Sequence, residues 1–118
     1  MTDLSDLAAL DATDQAALVR SGEVSATELV QAAIDRAEAV NGQLNAIIRR
    51  YDDRARQRLQ QGFAPEQLFA GVPFLIKDLF QDIKGVPSTG GSRALRHMPV
   101  TDTSDVVRRW QEAGLVIF

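Results

Sequence analysis

Lys77 closes an unbroken apolar run, Gly71-Val72-Pro73-Phe74-Leu75-Ile76-Lys77-Asp78, and is the residue best placed by sequence to do chemistry. Burying an ammonium costs several kcal/mol, on the order of the penalty for any unpaired buried ion, unless it is paired or loses its proton. A desolvated lysine can give up that proton and act as a general base near neutral pH. The bland alternative is amphipathic: the methylene stem lies on apolar surface while the head reaches water or pairs with Asp78.

The other candidates are weaker. The loop Ser88-Thr89-Gly90-Gly91-Ser92 could present backbone donors to an anion or bend close to a substrate, but an ordinary turn explains it equally well. It lacks both the phosphate-loop spacing and a following Lys-Ser or Lys-Thr, which argues against nucleotide binding. His97 is the single histidine and there is no cysteine. No Cys-based metal site or thiolate nucleophile is therefore available, and His97 reads as a loop or surface residue. The carboxylates Asp3, Asp6, Asp11, Asp14, Glu23 and Glu28 suit helix caps and N-terminal turns.

The elements that must position these residues fall into two stretches. Asp11 or Thr13 caps a short helix that Gly22 ends, and Ser25-Ala26-Thr27-Glu28 is a capping box. Leu29, Val30, Ala33, Ile34, Ala37 and Val40 then recur at helical spacing, predicting a helix over 26–40 that Asn41-Gly42 closes. Leu44 to Ile48 is too short to classify, a mostly exposed helix runs from about 52 to Gly62, and 63–69 is a connector.

From residue 71 the pattern changes. Val72 to Ile76 suits a strand covered on both faces, and 85–92 must be a loop. Thr101, Asp102 or Thr103 caps a helix carrying Val106, Val107, Trp110 and Ala113 that Gly114 stops. Leu115-Val116-Ile117-Phe118 then opens another buried strand. Strand, loop, helix and strand in this order predict a right-handed βαβ unit with parallel strands. An apolar end with no polar tail suggests the N-terminal piece of a longer protein.

Composition bounds the function. With 118 residues, 45% hydrophobic and 25% charged, the chain is an ordinary single-domain globular sequence, and its net charge of −3 argues against nucleic acid as a partner. The one basic cluster, Arg49, Arg50, Arg54, Arg56 and Arg58, is interrupted by Asp52 and Asp53 and reads as a solvated helix face. The acidic N-terminus does not fit a signal peptide, and no window approaches the roughly 18 apolar residues of a membrane span. Cytoplasm is the default location.

The segment AGVPFLIKDLFQDIKGVPSTGGSRAL resembles the start of the conserved region of amidase signature enzymes. Gly71-Val72-Pro73, an apolar triplet and Lys77-Asp78 look like that family's lysine strand. Gly85-Val86-Pro87, Thr89 and Gly91-Ser92 fit the loop after it. Upstream, Ser21 to Ser25 with Glu28-Leu29 and Leu44-Asn45-Ala46 resemble the family's N-terminal helices; downstream, 102–118 resembles the helix and strand before its nucleophile region. The resemblance spans the chain from about residue 11.

It implies an α/β fold in which N-terminal helices (11–62) precede the first βαβ unit (71–118) of a larger mixed-sheet amidase signature fold, with residues 1–118 the first part of a single amidase domain. It implies a parent enzyme that hydrolyses carboxamide C–N bonds with a Ser, cis-Ser and Lys triad, with Lys77 as the catalytic lysine. Both serines would lie beyond residue 118, and Ser92, followed by Arg93-Ala94, is not the nucleophile. The chain alone is then expected to be inactive, since triad members act as a unit. No cofactor or metal is implied. The partner is a small amide substrate, with no nucleic acid or membrane, and a homodimer is compatible. Two alternatives stand beside this: an amidase-type subunit of a tRNA-dependent amidotransferase, and a small binding module in which Lys77 is merely amphipathic. Leu79-Phe80, where such a subunit is expected to have Asn-Ile, favours the stand-alone enzyme over the first.

Overall fold

The first elements form where local chemistry closes both their ends. A computed structural model describes residues 6–118. Asp3, among the carboxylates assigned to caps, lies outside the described residues. Helix α1 (Ala12–Ser21) begins at Asp11, whose side chain accepts from the Asp14 amide, and ends at Gly22 with φ +78. Ahead of it a short 3₁₀ turn, Asp6–Ala9, is tied down by the Gln15 side chain, which donates to the Leu7 and Leu10 carbonyls.

Helix α2 (Ala26–Leu44) carries the capping box. The Glu28 amide donates to Ser25 Oγ (3.2 Å), and the Ser25 amide donates back to Glu28 Oε2 (2.9 Å). The Ser25 hydroxyl also donates to Glu28 Oε2 (2.7 Å), and this bond, followed by that of the Ser25 amide, holds the Glu28 carboxyl below its ordinary value.

Helix α2 does not stop at Asn41-Gly42. It runs a further turn to Leu44, and Asn45 takes the left-handed cap at φ 48. The Asn41 side chain acts beyond the helix end instead. Its oxygen accepts from the Ala46 and Ile47 amides, and its amide group donates to the Ile47 carbonyl. The segment after the helix is thereby folded back before α3 (Asp52–Gln60).

The chain divides into two units, one comprising residues up to Phe74 with Ala113–Phe118, the other Leu75–Glu112. In the first, α3 packs on α2 and on strand β2 (Val116–Ile117). The core joins Val30, Ile34 and Ala37 of α2, Ala55 of α3, Val116 and Phe118. A smaller cluster seats Leu7 and Val24 against Leu29. Strand β1 (Pro73–Phe74) pairs with β2 in parallel, Pro73 opposite Val116 and Phe74 opposite Ile117, as the strand–helix–strand order predicts. Pro73 has no amide to donate and starts its strand, where none is required.

Leu115 to Phe118 are buried throughout, as expected of a doubly covered strand. The first strand is shorter than its apolar run. Val72 is buried, but pairing ends at Phe74 and Leu75 is 45% exposed. Two glycines allow the strands to meet. Gly71 donates to the Gly114 carbonyl (3.0 Å). A Cβ on Gly114 (φ +99) would sit 2.7 Å from the Ala70 Cα.

The second unit holds the glycine-rich loop, a 3₁₀ turn at Arg93–Leu95, an isolated antiparallel bridge between Pro87 and Pro99, and helix α4 (Asp105–Glu112). Helix α4 begins after Ser104, later than Thr101, Asp102 or Thr103 would place it. The Thr103 hydroxyl instead accepts from the Lys84 amide (3.0 Å), and the Ser104 amide donates to the Asp82 carbonyl (3.1 Å).

Candidate active site

Lys77 lies three residues beyond the last paired residue of β1, and its side chain is exposed. The apolar run therefore delivers it to the surface of the second unit. What surrounds it is a set of backbone restraints. The Lys77 amide donates to Gln81 Oε1 at 2.6 Å, closing a turn over 77–81.

The next residue, Asp78, reaches across eleven positions to the glycine-rich loop. Its Oδ1 accepts from the Thr89 amide (2.7 Å), its Oδ2 accepts from the Thr89 hydroxyl, and its carbonyl accepts from the Gly90 amide (3.0 Å). Thr89 in turn receives the Gly91 amide on Oγ1 (3.2 Å) and the Ser92 amide on its carbonyl (2.9 Å). Four consecutive amides, Thr89 to Ser92, are thus satisfied by Asp78 and Thr89. The loop does not offer them to an anion; its donors organise the loop against the lysine turn.

Thr89 is the buried polar residue of the described chain, at 8% exposure. A hydroxyl and an amide held by one carboxylate are charge-assisted bonds, the stronger class, and removing either partner leaves a buried polar group unsatisfied. The pairing has a sequence signal only in retrospect: an Asp directly after the lysine and a Thr inside the loop.

Phe80, in the same turn, is 81% exposed with φ 62, in the left-handed region that side chains larger than Asn avoid. His97 is exposed, as its loop setting suggests, and its Nε2 accepts from Arg96 Nε (3.0 Å). Ser92 is exposed at the start of the 3₁₀ turn. Among the described residues, no group of three or more His, Cys, Asp or Glu is assembled that could hold a metal ion.

In the arginine-rich stretch of the first unit, two of the arginines pair with nearby acids. Arg50 pairs with Asp52 (2.6 Å) and Glu38 (3.7 Å), and Arg56 pairs with Asp53 (3.2 Å). The Asp52 hydrogen bond raises the Arg50 guanidinium above its ordinary value. Arg58 stacks on the Phe63 ring at 4.3 Å and donates to the Gly62 carbonyl. Asp53, Arg54 and Arg56 form an exposed face of α3, whereas Arg49 and Arg50, expected on the same solvated helix face, precede the helix and are half-buried.

The Amidase family model matches residues 28–118, and the chain belongs to the amidase family. It is 39% identical over 109 residues to the 6-aminohexanoate-cyclic-dimer hydrolase of Pseudomonas sp. (strain NK87), covering 91% of this chain and 22% of that enzyme. It is 38% identical over 120 residues to a glutamyl-tRNA(Gln) amidotransferase subunit from Salinispora arenicola (strain CNS-205), covering 97% of this chain and 24% of the relative. A solved structure of a 6-aminohexanoate cyclic dimer hydrolase superposes with a TM-score of 0.85 at 36% identity, over all of this chain and 23% of that one. The α/β reading holds, and the chain spans about a fifth to a quarter of the relatives it matches. Among the described residues no helix is long and apolar enough to cross a membrane.

Proposed function

We propose that the protein to which this chain belongs hydrolyses carboxamide C–N bonds, and that Lys77 is the base of a Ser, cis-Ser and Lys triad whose serines lie outside these 118 residues. The observation that carries the reading is the fixing of the Lys77 turn. Within the family-matched segment, the lysine's own amide and its neighbour's carboxylate and carbonyl are all bound, so the backbone that bears the amine is held still. A proton-transfer base must be held within hydrogen-bond reach of its partner, and geometry comes before basicity.

In this role the neutral Lys77 amine accepts, through the cis-serine, the proton that the nucleophilic serine loses as it attacks the amide carbonyl. Backbone amides stabilise the oxyanion, the proton held by Lys77 passes to the amide nitrogen as the C–N bond breaks and ammonia or an amine leaves, and water then releases the acyl group. The lysine contributes nothing without the serines. The isolated 118-residue chain is accordingly inactive.

The test is hydrolysis of simple and cyclic carboxamides by the full-length protein, followed by amine or ammonia release. Lys77→Ala should lower kcat by at least about 1,000-fold, the scale on which triad members act. Turnover by the isolated chain, or wild-type kcat in Lys77→Ala, sinks the reading. The similarity to an amidotransferase subunit supports a second one, in which the amidase part feeds ammonia to a partner. A requirement for glutamine and copurifying subunits would distinguish it.

A further inference from the structure

We infer that the Asp78–Thr89 clamp is the positioning device for Lys77, and that Thr89 is a positioning residue of the reaction although it lies well beyond the lysine in sequence. The inference rests on the catalytic reading of Lys77 above.

Three hydrogen bonds join Asp78 to Thr89 and Gly90, and they use both carboxylate oxygens and the Asp78 carbonyl. The peptide linking Lys77 to Asp78 is therefore held from its C-terminal side, while Gln81 holds the Lys77 amide from the other. The clamp is built rather than incidental. Its threonine is buried where its neighbours Gly90, Gly91 and Ser92 are exposed, and that same hydroxyl receives the Gly91 amide. One hydroxyl thus donates to the carboxylate and accepts from the loop, coupling the loop's shape to the lysine turn. Lys77 itself emerges past the end of β1, where pairing with β2 has ceased. With the ladder ended, the clamp and the Gln81 bond are the restraints that hold the backbone from which the amine projects.

Thr89→Val in the full-length protein preserves shape but removes the hydroxyl. It should lower kcat by about 10- to 100-fold with KM within about 2-fold, the scale expected when a catalytic group shifts by about 1 Å. Thr89→Ser keeps the hydroxyl and should restore kcat to within about 3-fold of wild type, a difference that hydroxyl chemistry accounts for and side-chain size does not. Asp78→Glu keeps the charge but displaces the carboxylate by a methylene, and should reproduce the Thr89→Val loss; it serves if Thr89→Val does not fold. Wild-type kcat in Asp78→Glu or Thr89→Val, with Lys77→Ala inactive, overturns the clamp and leaves the catalytic lysine standing. Wild-type kcat in Lys77→Ala overturns both. A loss confined to KM, or an equal loss in Thr89→Ser, also overturns the positioning role.

Discussion

Three residues in the first unit make sharp stability predictions, because each is bound by geometry that a substitution cannot imitate. Ser25 accepts one orphan amide of α2 while Glu28 returns to the Ser25 amide. Ser25→Ala should cost about 1 kcal/mol, read as a lower Tm. The Glu28 carboxyl is held below its ordinary value, so its ionised form favours the folded state. That contribution is fully present above the unfolded glutamate value near about 4.3 and is lost as pH falls through the lower folded value. Below that range wild type and Glu28→Gln should converge in Tm, whereas at about pH 7 wild type should be the more stable. Gly114 is the third residue. At φ +99, with Ala70 where a Cβ would go, Gly114→Ala should cost at least about 2 kcal/mol from strain and overlap together. Equal Tm values for wild type and Gly114→Ala would show that the β1–β2 approach relaxes freely.

At the scale of elements, the helices were readable and the strands less so. Asp11, Gly22, Ser25 and Glu28 act on their own neighbours, so their caps follow from the sequence directly. The end of α2 misleads because Asn41-Gly42 has the composition of a stop. The left-handed position falls on Asn45, and Asn41 instead brackets Ala46 and Ile47. Asn41→Ala should therefore leave α2 helical but release residues 45–48. Amide exchange at Ala46 and Ile47 should accelerate by about 10-fold or more, the equivalent of about 1.4 kcal/mol per tenfold for lost hydrogen bonds. Unchanged exchange there would remove Asn41 from that role. The length of β1 was not legible because ladder bonds depend on a partner remote in sequence, and an apolar run continues past the last paired residue. Similarly, the Asp78–Thr89 bonds join positions that no periodicity connects, which is why Lys77 was visible in sequence and its clamp was not.

Across the whole chain, the fold class was legible because order alone, helices and then strand, loop, helix and strand, restricts the topology. The strand pair is only two residues on each side, and large apolar side chains remain exposed, among them Leu44, Ile48, Leu68, Phe80 and Met98. A two-stranded sheet is marginal in water, so the chain in isolation should bind a hydrophobic dye and melt with low cooperativity. A sharp, dye-free melt would show instead that 118 residues suffice for an independent fold. Among the described residues, two that are not glycine adopt positive φ: Asn45, whose short polar side chain tolerates it, and Phe80, whose ring does not. Since Phe80 is 81% exposed, changing it to Asn sacrifices little packing, and relief of the left-handed strain should raise stability by about 1 kcal/mol. For anyone engineering a hardier protein, the place to start is the turn that presents the lysine, and measuring activity alongside Tm would reveal what that ring is worth.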